Sequence, residues 1–495
     1  MSRSFSLGEI AQHNSSSSCW VIISNKVYDV TEFLPDHPGG AKIILKYAGR
    51  DATAAYEPIH PPDTLDKNLP TSKHLGDLDS SGASALQKEQ ESRKKTRDEV
   101  RVEQAQARKP PLNQILNLRD IEKVARDVLT YKALAYYASA ADDETTHNEN
   151  AHAFSRFFFH PRVLRRISQV DPSTTILGIN SSIPIFISAT GLAKLGHPLG
   201  EANLARGAGR TSIIQMLSTY ASLSASQVAA ARLSPSQPLF FQLYKPRDHA
   251  LAAERIREVE ALGYRAIVLT VDAPVAGNRE RDVRAPFELE AQEREAAGGQ
   301  GGEMPRQPER VDEDLEEQIN LNGTVGSSLS NADLDMTFTE TIPWLRSVTK
   351  LPIMLKGIQC VADAVLAAEA GVDGILLSNH GGRQLEYSLP PIEVLYKIRQ
   401  QRPDVFDKLE VYIDGGVCRG TDVLKALCLG AKAVGMGRPF LYAQSAYGEA
   451  GVVHAVRILQ REIVLGMRLL GATSVSELVP EMVERVDWQP LPARL

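Results

Sequence analysis

The sequence predicts an α/β protein in which a (β/α)8 TIM barrel follows a small α+β domain, and three observations lead to this fold class. The chain has 495 residues, which is too long for one ordinary domain unless a large barrel takes up most of it. A charged segment that is poor in apolar residues separates residues 1–77 from residues 111–495. Beyond that segment, short hydrophobic runs alternate with helical stretches, as they do in a parallel sheet.

Composition and charge argue against several classes of protein. The hydrophobic content of 43% is ample for a buried core, and the formal net charge of −6 disfavours a nucleic-acid-binding protein, which would carry a basic patch. The four cysteines form no CxxC pair, and this fits a reducing compartment. No apolar run is long enough to cross a bilayer and no secretory signal is evident, so we expect no membrane partner.

The two ends of the sequence bear on its cellular location. The final residues Ala493, Arg494 and Leu495 resemble the small-basic-Leu address of peroxisomal proteins. No presequence for the mitochondrial intermembrane space is evident before the first folded unit. We therefore expect the peroxisome or the cytoplasm.

Residues 1–77 contain two histidines in Pro-rich turns. His37 lies in "FLPDHPGG" and His60 in "YEPIHPP", and a solvent-exposed turn is the ordinary alternative for each of them. Together with the preceding "CWVIISNKVYDVTEF", the pair resembles the cytochrome b5 domain. That resemblance implies a small α+β fold and a b-type haem whose iron has His37 and His60 as axial ligands. Such an iron has no open position, so the haem would carry electrons rather than bind oxygen.

Residues 78–110 have the composition of a linker. The stretch "SSGASALQKEQESRKKTRDEVRVEQAQARKPP" cannot bury enough apolar surface to fold by itself. It is expected to be either mobile or helical.

Eight hydrophobic runs follow the linker and predict the strands of the barrel. In chain order they are "IPIFISAT", "SIIQMLS", "LFFQLY", "AIVLTVD", "LPIMLKG", "GILLSNH", "EVYIDGG" and "AVGMGRP". Helical stretches such as "TDVLKALCLG" separate most of them, and eight such units that close on themselves make a TIM barrel. One connection is much longer than the others, and we expect a long mobile loop at about residues 285–335.

Polar residues end most of these runs. They are Thr190, Ser218, Gln242, Tyr244, Asp272, Lys356, Ser378, His380 and Asp414. Generic polar residues after buried strands are the alternative interpretation, but Ser, Asn, Asp and Gly would dominate such a set. Because the carboxyl ends of barrel strands meet on one face, where active sites are built, we expect these residues to form a catalytic site.

Several longer motifs in residues 111–475 point to one family. "LAYYASAADDETT", "FFQLY", "TVDAPVAGNRE", "LPIMLKG", "LSNHGGRQL", "DGGVCRGTD" and "GMGRP" resemble the FMN-dependent L-2-hydroxy-acid oxidases and dehydrogenases. A haem domain ahead of that barrel resembles the flavohaem L-lactate dehydrogenases. The resemblance implies an FMN-binding barrel that oxidises a 2-hydroxy acid.

Oxidation of a 2-hydroxy acid requires a base and a cation for the substrate carboxylate. His380 is the expected base, with Asp272 beside it to raise its pKa and stabilise the imidazolium. Arg383 matches the family's carboxylate-binding arginine, since only arginine offers a planar bidentate fork. Tyr244 is expected to hydrogen-bond the substrate hydroxyl. The resemblance adds Tyr136 and Arg279 as substrate-binding residues, and Tyr220 and Gly191 at the pocket for the substrate side chain.

The expected FMN site uses residues from all parts of the barrel rim. The predicted contacts are Ala189, Thr190, Gly191, Ser218, Gln242, Thr270, Lys356, Ser378, Asp414, Gly415, Gly416, Gly437 and Arg438. Lys356 would place a positive charge beside the flavin ring, where it stabilises the reduced form. Gly415, Gly416, Gly437 and Arg438 follow the seventh and eighth strands, where barrels commonly bind phosphate.

Three residues depart from the family pattern. Cys418 replaces a common arginine close to the expected phosphate site, and Arg419 and Arg438 are the candidates to compensate for it. Gly191 replaces a frequent alanine and is expected to leave more room beside the flavin. Tyr220 shapes the side-chain pocket, so the substrate could be an L-2-hydroxy acid other than L-lactate.

The sequence therefore predicts oxidation of an L-2-hydroxy acid, most simply L-lactate to pyruvate. Electrons would pass from FMN to the haem and then to an acceptor such as cytochrome c. The main alternative is an oxidase that uses O₂ and releases H₂O₂, and a haem-binding scaffold with an inactive barrel is a rival from a different class. The family resemblance also implies a homotetramer.

Overall fold

A computed structural model describes residues 3–37, 40–296, 323–324 and 326–487. It contains an N-terminal sheet and a closed eight-stranded parallel barrel, so the predicted fold class is confirmed. The final tripeptide and much of the predicted long loop lie outside the described residues.

The N-terminal domain is built around a twisted sheet. Its strands are β1 (Ser4–Phe5), β2 (Asn14–Ser15), β3 (Ser18–Ile23), β4 (Lys26–Asp29), β5 (Arg50–Asp51) and β6 (His74–Leu78), in the order β1-β6-β4-β3-β2 with β5 beside β3. Short helices span Leu7–Ile10, Ala41–Leu45, Thr53–Tyr56 and Thr64–Asn68. Ser24 and Asn25 both have positive φ, which matches the twist of the β3–β4 hairpin.

The linker is helical over most of its length. Its two helices are Ser80–Ser92 and Arg97–Arg108. The second helix begins with a capping box between Thr96 and Glu99, which satisfies backbone N–H groups at its start. Arg101 in that helix donates to the carbonyl oxygens of Asp127 and Leu129 at 2.7 and 2.6 Å. The linker therefore packs against the barrel domain and is not a free chain between the two domains.

Short strands and helices surround the entrance and the end of the barrel domain. The strands are β7 (Phe157–Phe159), β8 (Thr174–Ile176) and β9 (Ile179–Ser181), and β7 later pairs with β18 (Val483–Arg485). The helices before the barrel are Leu118–Val128, Tyr131–Ala138 and Thr145–His152. A capping box between Asn117 and Asp120 begins the first of these helices, and its apolar face is buried.

All eight predicted barrel strands are present. They are β10 (Ile185–Ile187), β11 (Ile214–Ser218), β12 (Leu239–Leu243), β13 (Ala266–Thr270), β14 (Ile353–Ile358), β15 (Gly374–Leu377), β16 (Glu410–Asp414) and β17 (Ala433–Met436). Each pairs in parallel with the next, and β17 closes on β10. The helices that follow these strands are Glu201–Thr211, Ala225–Ala230, His249–Ala261, Glu280–Ala296, Phe338–Val348, Val361–Glu369, Pro391–Gln401, Val405–Lys408, Gly420–Cys428 and Arg438–Leu470.

The barrel interior is a packed core rather than a channel. Phe186, Met216, Phe240, Val268 and Met354 are among the side chains that fill it, and each is at most 2% exposed. Every side chain in β11, β12, β13, β14 and β15 is buried, which explains why their sequences are continuously hydrophobic. The polar residues at the carboxyl ends of the strands therefore gather at one rim.

The segment that was expected to be a long loop begins instead with a helix, Glu280–Ala296. Asp282, in the first turn of this helix, accepts hydrogen bonds from the backbone N–H and the hydroxyl of Thr324 at 2.8 and 2.6 Å. Residues 297–322 and residue 325 lie outside the described part. In the described part of the chain, no helix is long and apolar enough to cross a membrane.

Candidate active site

A cavity of about 410 Å³ opens at the carboxyl ends of the barrel strands. The predicted residues that line it are Tyr136, Ala189, Thr190, Gly191, Ser218, Tyr220, Tyr244, Arg279, Lys356, His380, Arg383, Asp414, Gly415, Gly416, Gly437 and Arg438. Four other predicted residues, Gln242, Thr270, Asp272 and Ser378, lie directly behind this wall and hydrogen-bond to residues in it or to each other. The structure therefore brings the predicted catalytic and flavin-binding side chains together.

His380 lies between an acid and a phenol. Its Nδ1 is 3.0 Å from Oδ1 of Asp272, and its Nε2 is 3.3 Å from the hydroxyl of Tyr244. His380 has a left-handed backbone with φ +58°, and Gly381 and Gly382 that follow are left-handed too. This turn at the end of β15 is strained for a histidine, and the surrounding contacts hold it in place. A proton acceptor is thus fixed at Nε2, facing the cavity.

The pKa of His380 differs from the sequence-based expectation. Asp272 does act to raise it, but the net pKa of His380 lies below the ordinary value, because burial and the positive charge of Lys356 outweigh the carboxylate. The pKa of Asp272 is lowered by Lys356 and His380, although burial opposes this. His380 is therefore neutral and able to accept a proton at neutral pH.

A glycine makes room for the carboxylate. Gly357, at the irregular end of β14, has φ +108°, and a Cβ there would lie 2.5 Å from Cβ and Cγ of Asp272. Only glycine permits this approach. It also brings Asp272 Oδ2 within 4.0 Å of the Lys356 ammonium.

Two guanidinium groups give the cavity a positive wall. Arg383 donates through Nη1 to the carbonyl oxygens of Tyr136 and Ser139 at 2.9 and 2.7 Å. Arg279 donates to the side chain of Gln384 at 3.2 Å, and burial together with the charge of Arg383 lowers its pKa to about 10. Neither arginine has a carboxylate partner among the described residues. The arrangement suits a small carboxylate ligand.

The polar groups on one side of the cavity fit a flavin ring. Lys356 is 4% exposed and donates to the Ser378 hydroxyl at 3.2 Å, so its ammonium has further N–H groups available for the carbonyl edge of a ring. The side chain of Gln242 links the Ser218 hydroxyl and the Thr270 hydroxyl at 3.1 and 2.9 Å. These groups are buried, and they match the polar edge of an isoalloxazine better than they match an apolar ligand.

The opposite end of the cavity lies at the loops after β16 and β17. Gly415 and Gly416 have φ of +92° and +78°, and they turn the chain away from Asp414. Arg438 donates to the carbonyl oxygens of Tyr137, Ser139 and Gly381, each at 2.9 Å. This rim is the place where barrels bind phosphate.

The three departures from the family pattern have different outcomes. The Cys418 thiol lines the cavity, and burial raises its pKa to about 11, so it is neutral. Arg419 does not line the cavity, because its guanidinium pairs with Glu462 at 2.9 Å. Gly191 leaves no extra room: a Cβ there would lie 2.9 Å from the carbonyl oxygen of Tyr220, so the expectation of added space is wrong. The ring of Tyr220 stacks on Tyr244 with 4.9 Å between centroids.

The N-terminal domain contains a second site. The ring centroids of His37 and His60 lie 6.2 Å apart, and the two ring planes are tilted by 36°. Two imidazoles that each place a nitrogen about 2 Å from one metal ion would have this separation. Nδ1 of His37 lies 3.1 Å from the carbonyl oxygen of Gly40, and Nδ1 of His60 lies 3.2 Å from that of Tyr56. Both histidines thus use Nδ1 for orientation and leave Nε2 for a ligand bond.

The surroundings of the two histidines also fit a haem. Phe33, Leu34, Ile44, Leu45 and Leu65 belong to the apolar cluster of this domain. Burial lowers the pKa of His37, and it lowers the pKa of His60 to about 4, so both imidazoles are neutral as ligands must be. The residues present fit an iron porphyrin that is held from both faces.

The His60 loop rests directly on the barrel rim. The Ser222 hydroxyl donates to the carbonyl oxygen of Pro58 at 2.9 Å, and Nζ of Lys194 donates to that of Glu57 at 2.8 Å. Ser222 and Lys194 belong to the loops after β11 and β10, which also carry the cavity residues Tyr220 and Gly191. The two sites are therefore connected through a few residues.

Sequence reasoning missed several residues of the cavity wall. Ser188, Arg119, Glu122, His147 and Tyr442 line the cavity but were not predicted. Ser188 donates to Asp414 at 3.1 Å and precedes a predicted strand end, so closer attention to that strand would have found it. The others lie in helices, Arg119 and Glu122 in Leu118–Val128, His147 in Thr145–His152 and Tyr442 in Arg438–Leu470, and the local sequence carries no signal for their place in the cavity wall.

Comparison with known proteins accounts for both sites. Residues 125–485 match the FMN-dependent dehydrogenase family, and residues 6–79 match the cytochrome b5-like haem/steroid binding domain. The chain belongs to the FMN-dependent dehydrogenase family. The family member L-lactate dehydrogenase (cytochrome) of Wickerhamomyces anomalus is 46% identical over 478 residues, which are 96% of this chain and 79% of that protein.

Two further matches show the range of the family. Glycolate oxidase 3 of Arabidopsis thaliana is 38% identical over 375 residues, which are 76% of this chain and 97% of that protein. A solved structure of a mutant flavocytochrome b2 with pyruvate bound has a TM-score of 0.69 and 44% identity, covering 79% of this chain and 92% of that one. This FMN-dependent dehydrogenase is an oxidoreductase whose cofactors are FMN and haem b.

Proposed function

We propose that the chain oxidises L-lactate to pyruvate in the barrel and passes the electrons to its N-terminal haem. The contact of His380 with Asp272, beside two guanidinium groups that have no carboxylate partner in the described part of the chain, is the observation that carries this proposal. The L-lactate assignment is supported by relatives named L-lactate dehydrogenase (cytochrome), which match 96% of the chain.

The residues have separate tasks. Arg383 and Arg279 bind the substrate carboxylate, with the Tyr136 hydroxyl beside them. The Tyr244 hydroxyl, whose pKa is raised by burial, stays protonated and hydrogen-bonds the substrate hydroxyl. Nε2 of His380 accepts a proton from the substrate, and Asp272 stabilises the imidazolium that results.

The cofactors supply the redox chemistry. FMN, when bound, takes up the two electrons that leave the substrate carbon. Lys356 is the cation that stabilises the charge of the reduced ring, with Ser378 to orient it. Ala189, Thr190, Ser218, Gln242, Thr270, Asp414, Gly415, Gly416, Gly437 and Arg438 are the other residues that we propose for the FMN site. His37 and His60 would hold the haem, which would supply one-electron transfer.

The final acceptor, the location and the assembly state belong to the proposal as well. A haem domain docked on the barrel favours cytochrome c or a similar one-electron carrier over direct use of O₂. The oxidase alternative rests on the match with a glycolate oxidase, and a stoichiometric yield of H₂O₂ from L-lactate would support it. We propose a homotetramer in the peroxisome or the cytoplasm, and light scattering and imaging of the tagged full chain test these two points.

One substitution tests the reaction. In His380→Gln the proton acceptor is lost while the size of the side chain is nearly kept. We expect FMN to stay bound and L-lactate to reduce it at least a thousandfold more slowly, about the upper range for general acid–base catalysis. Asn148→Gln, in the cavity wall but without a proposed chemical role, is the matched control. If His380→Gln reduces its flavin as fast as the control does, the proposed mechanism is wrong.

A further inference from the structure

The family resemblance assigns three residues to the phosphate end of the cavity or its surroundings: Cys418, Arg419 and Arg438. None of them offers a positive charge that is free of other partners. Cys418 is neutral, and Arg419 is paired with Glu462. Arg438 is half-buried and already uses Nε, Nη1 and Nη2 for backbone carbonyls and the His147 ring. A phosphate carries almost two negative charges, so a further cation is expected at this end of the cavity.

Another arginine lies at the same end of the cavity. The N-terminal half of helix Leu118–Val128 contributes Leu118, Arg119 and Glu122 to the wall that also contains Cys418 and Gly416. Burial raises the pKa of the Cys418 thiol, and the nearby positive charge of Arg119 acts to lower it. Arg119 and Cys418 thus line the same cavity, and Cys418 occupies the position where the family pattern has an arginine.

The guanidinium of Arg119 is available. Within the described residues it has no ion pair and no hydrogen bond, and its side chain is exposed at the cavity mouth. Glu122 is the acid that this helix contributes to the cavity wall, and it is paired with Arg126 at 2.7 Å. The carboxylate of Asp120 is bound in the capping box with Asn117. Both acids thus have other partners, and the guanidinium of Arg119 is left for a ligand.

We propose that Arg119 binds the phosphate of FMN and supplies the cation that Cys418 does not. The charge has moved from the loop after β16 to a helix that precedes the barrel in the chain. A guanidinium at the cavity mouth can form two parallel hydrogen bonds with phosphate oxygens. On its other side the guanidinium contacts solvent rather than protein. The proposal rests on FMN binding in the barrel, and it adds a residue to that site.

The test compares two flavins on the full-length chain after the flavin has been removed. FMN carries the phosphate and riboflavin does not, and fluorescence titration gives a Kd for each. Arg119→Met should weaken FMN binding by about tenfold to a hundredfold, the loss expected for a charge-assisted hydrogen bond, and leave riboflavin binding unchanged. Lys123→Met removes an exposed charge one turn further along the same helix, from a residue that does not line the cavity, and should change neither Kd.

A second variant asks whether the two positions replace each other. Cys418→Arg in the Arg119→Met background should restore FMN affinity to within a few-fold of the wild type, without changing riboflavin binding. When Arg119 is present, Cys418→Arg should change FMN affinity much less. Higher salt should weaken FMN binding less in Arg119→Met than in the wild type, because an exposed charge is screened.

The outcomes separate this proposal from the proposed reaction. Equal FMN affinity in Arg119→Met and Lys123→Met would overturn the role of Arg119, and so would an equal loss for riboflavin, which would mean a structural defect. Reduction of wild-type flavin by L-lactate tests the reaction by itself. If the wild type binds FMN through Arg119 but L-lactate does not reduce it, the phosphate assignment stands and the reaction fails.

Discussion

Asp272→Asn tests how the acid–histidine pair works. The substitution turns the carboxylate 3.0 Å from Nδ1 of His380 into a neutral amide of nearly the same size. The side chain of Asp272 is 0% exposed, so water does not screen its charge. A hydrogen bond to a charged group contributes about 1.5–3 kcal/mol. At about 1.36 kcal/mol for each factor of ten, reduction of flavin by substrate should slow by roughly 10- to 150-fold.

The pH profile gives an independent measure of the same change. His380 must be neutral to accept a proton, so the rate falls in acid as the imidazole becomes protonated. Loss of the negative charge of Asp272 removes an influence that raises the pKa of His380, and that pKa is already below its ordinary value. The acid limb should therefore move to lower pH while the plateau above it falls.

Stopped-flow measurement of flavin absorbance from acid to neutral pH provides both quantities. Asp407→Asn, which changes an exposed carboxylate far from the cavity, is the matched control. The FMN content of each variant must be equal, since Asp272 also lies 4.0 Å from the Lys356 ammonium. A plateau equal to that of the control, or an acid limb shifted to higher pH, would refute the assignment of Asp272.

Three further predictions concern the haem, the docking contact and the substrate pocket. His60→Ala should remove the haem absorbance, because one axial ligand is lost, while flavin reduction by L-lactate continues; a six-coordinate haem spectrum in the variant would contradict the ligand assignment. Ser222→Ala removes the hydroxyl that donates to Pro58 at 2.9 Å, and it should slow haem reduction several-fold without slowing flavin reduction, with Ser236→Ala as the exposed control. Tyr220→Ala removes a ring from the cavity wall, so the ratio of kcat/KM for L-mandelate to that for L-lactate should rise at least tenfold, and an unchanged ratio would mean that the ring does not limit substrate size.

The barrel and the pairing of His37 with His60 were predictable because their signals are local. Each barrel strand is buried on both sides, so its sequence is continuously hydrophobic and can be recognised alone. The residues at strand ends then converge by geometry, and this places Asp272 and His380 together although they are far apart in sequence. His37 and His60 each lie in a short Pro-rich motif within one small domain.

The features that escaped prediction depend on packing between distant parts of the chain. Arg119 lines the cavity because a helix that precedes the barrel in the chain forms part of the cavity wall, and nothing near Arg119 in the sequence indicates this. The direction of the His380 pKa shift depends on the balance of burial, Lys356 and Asp272, which residue types do not reveal. The tight contact of Gly191 with Tyr220 is likewise set by two loops that meet only in the folded protein.

Anaerobic mixing of the full-length protein with L-lactate tests the central claim most directly. Flavin and haem absorbance are followed together in a stopped-flow spectrometer. Flavin absorbance should decrease first, and reduced-haem bands should then grow at a rate independent of protein concentration, because the haem domain is docked on its own barrel. Reduction of flavin with the haem left oxidised would contradict the proposed electron path and favour the oxidase alternative.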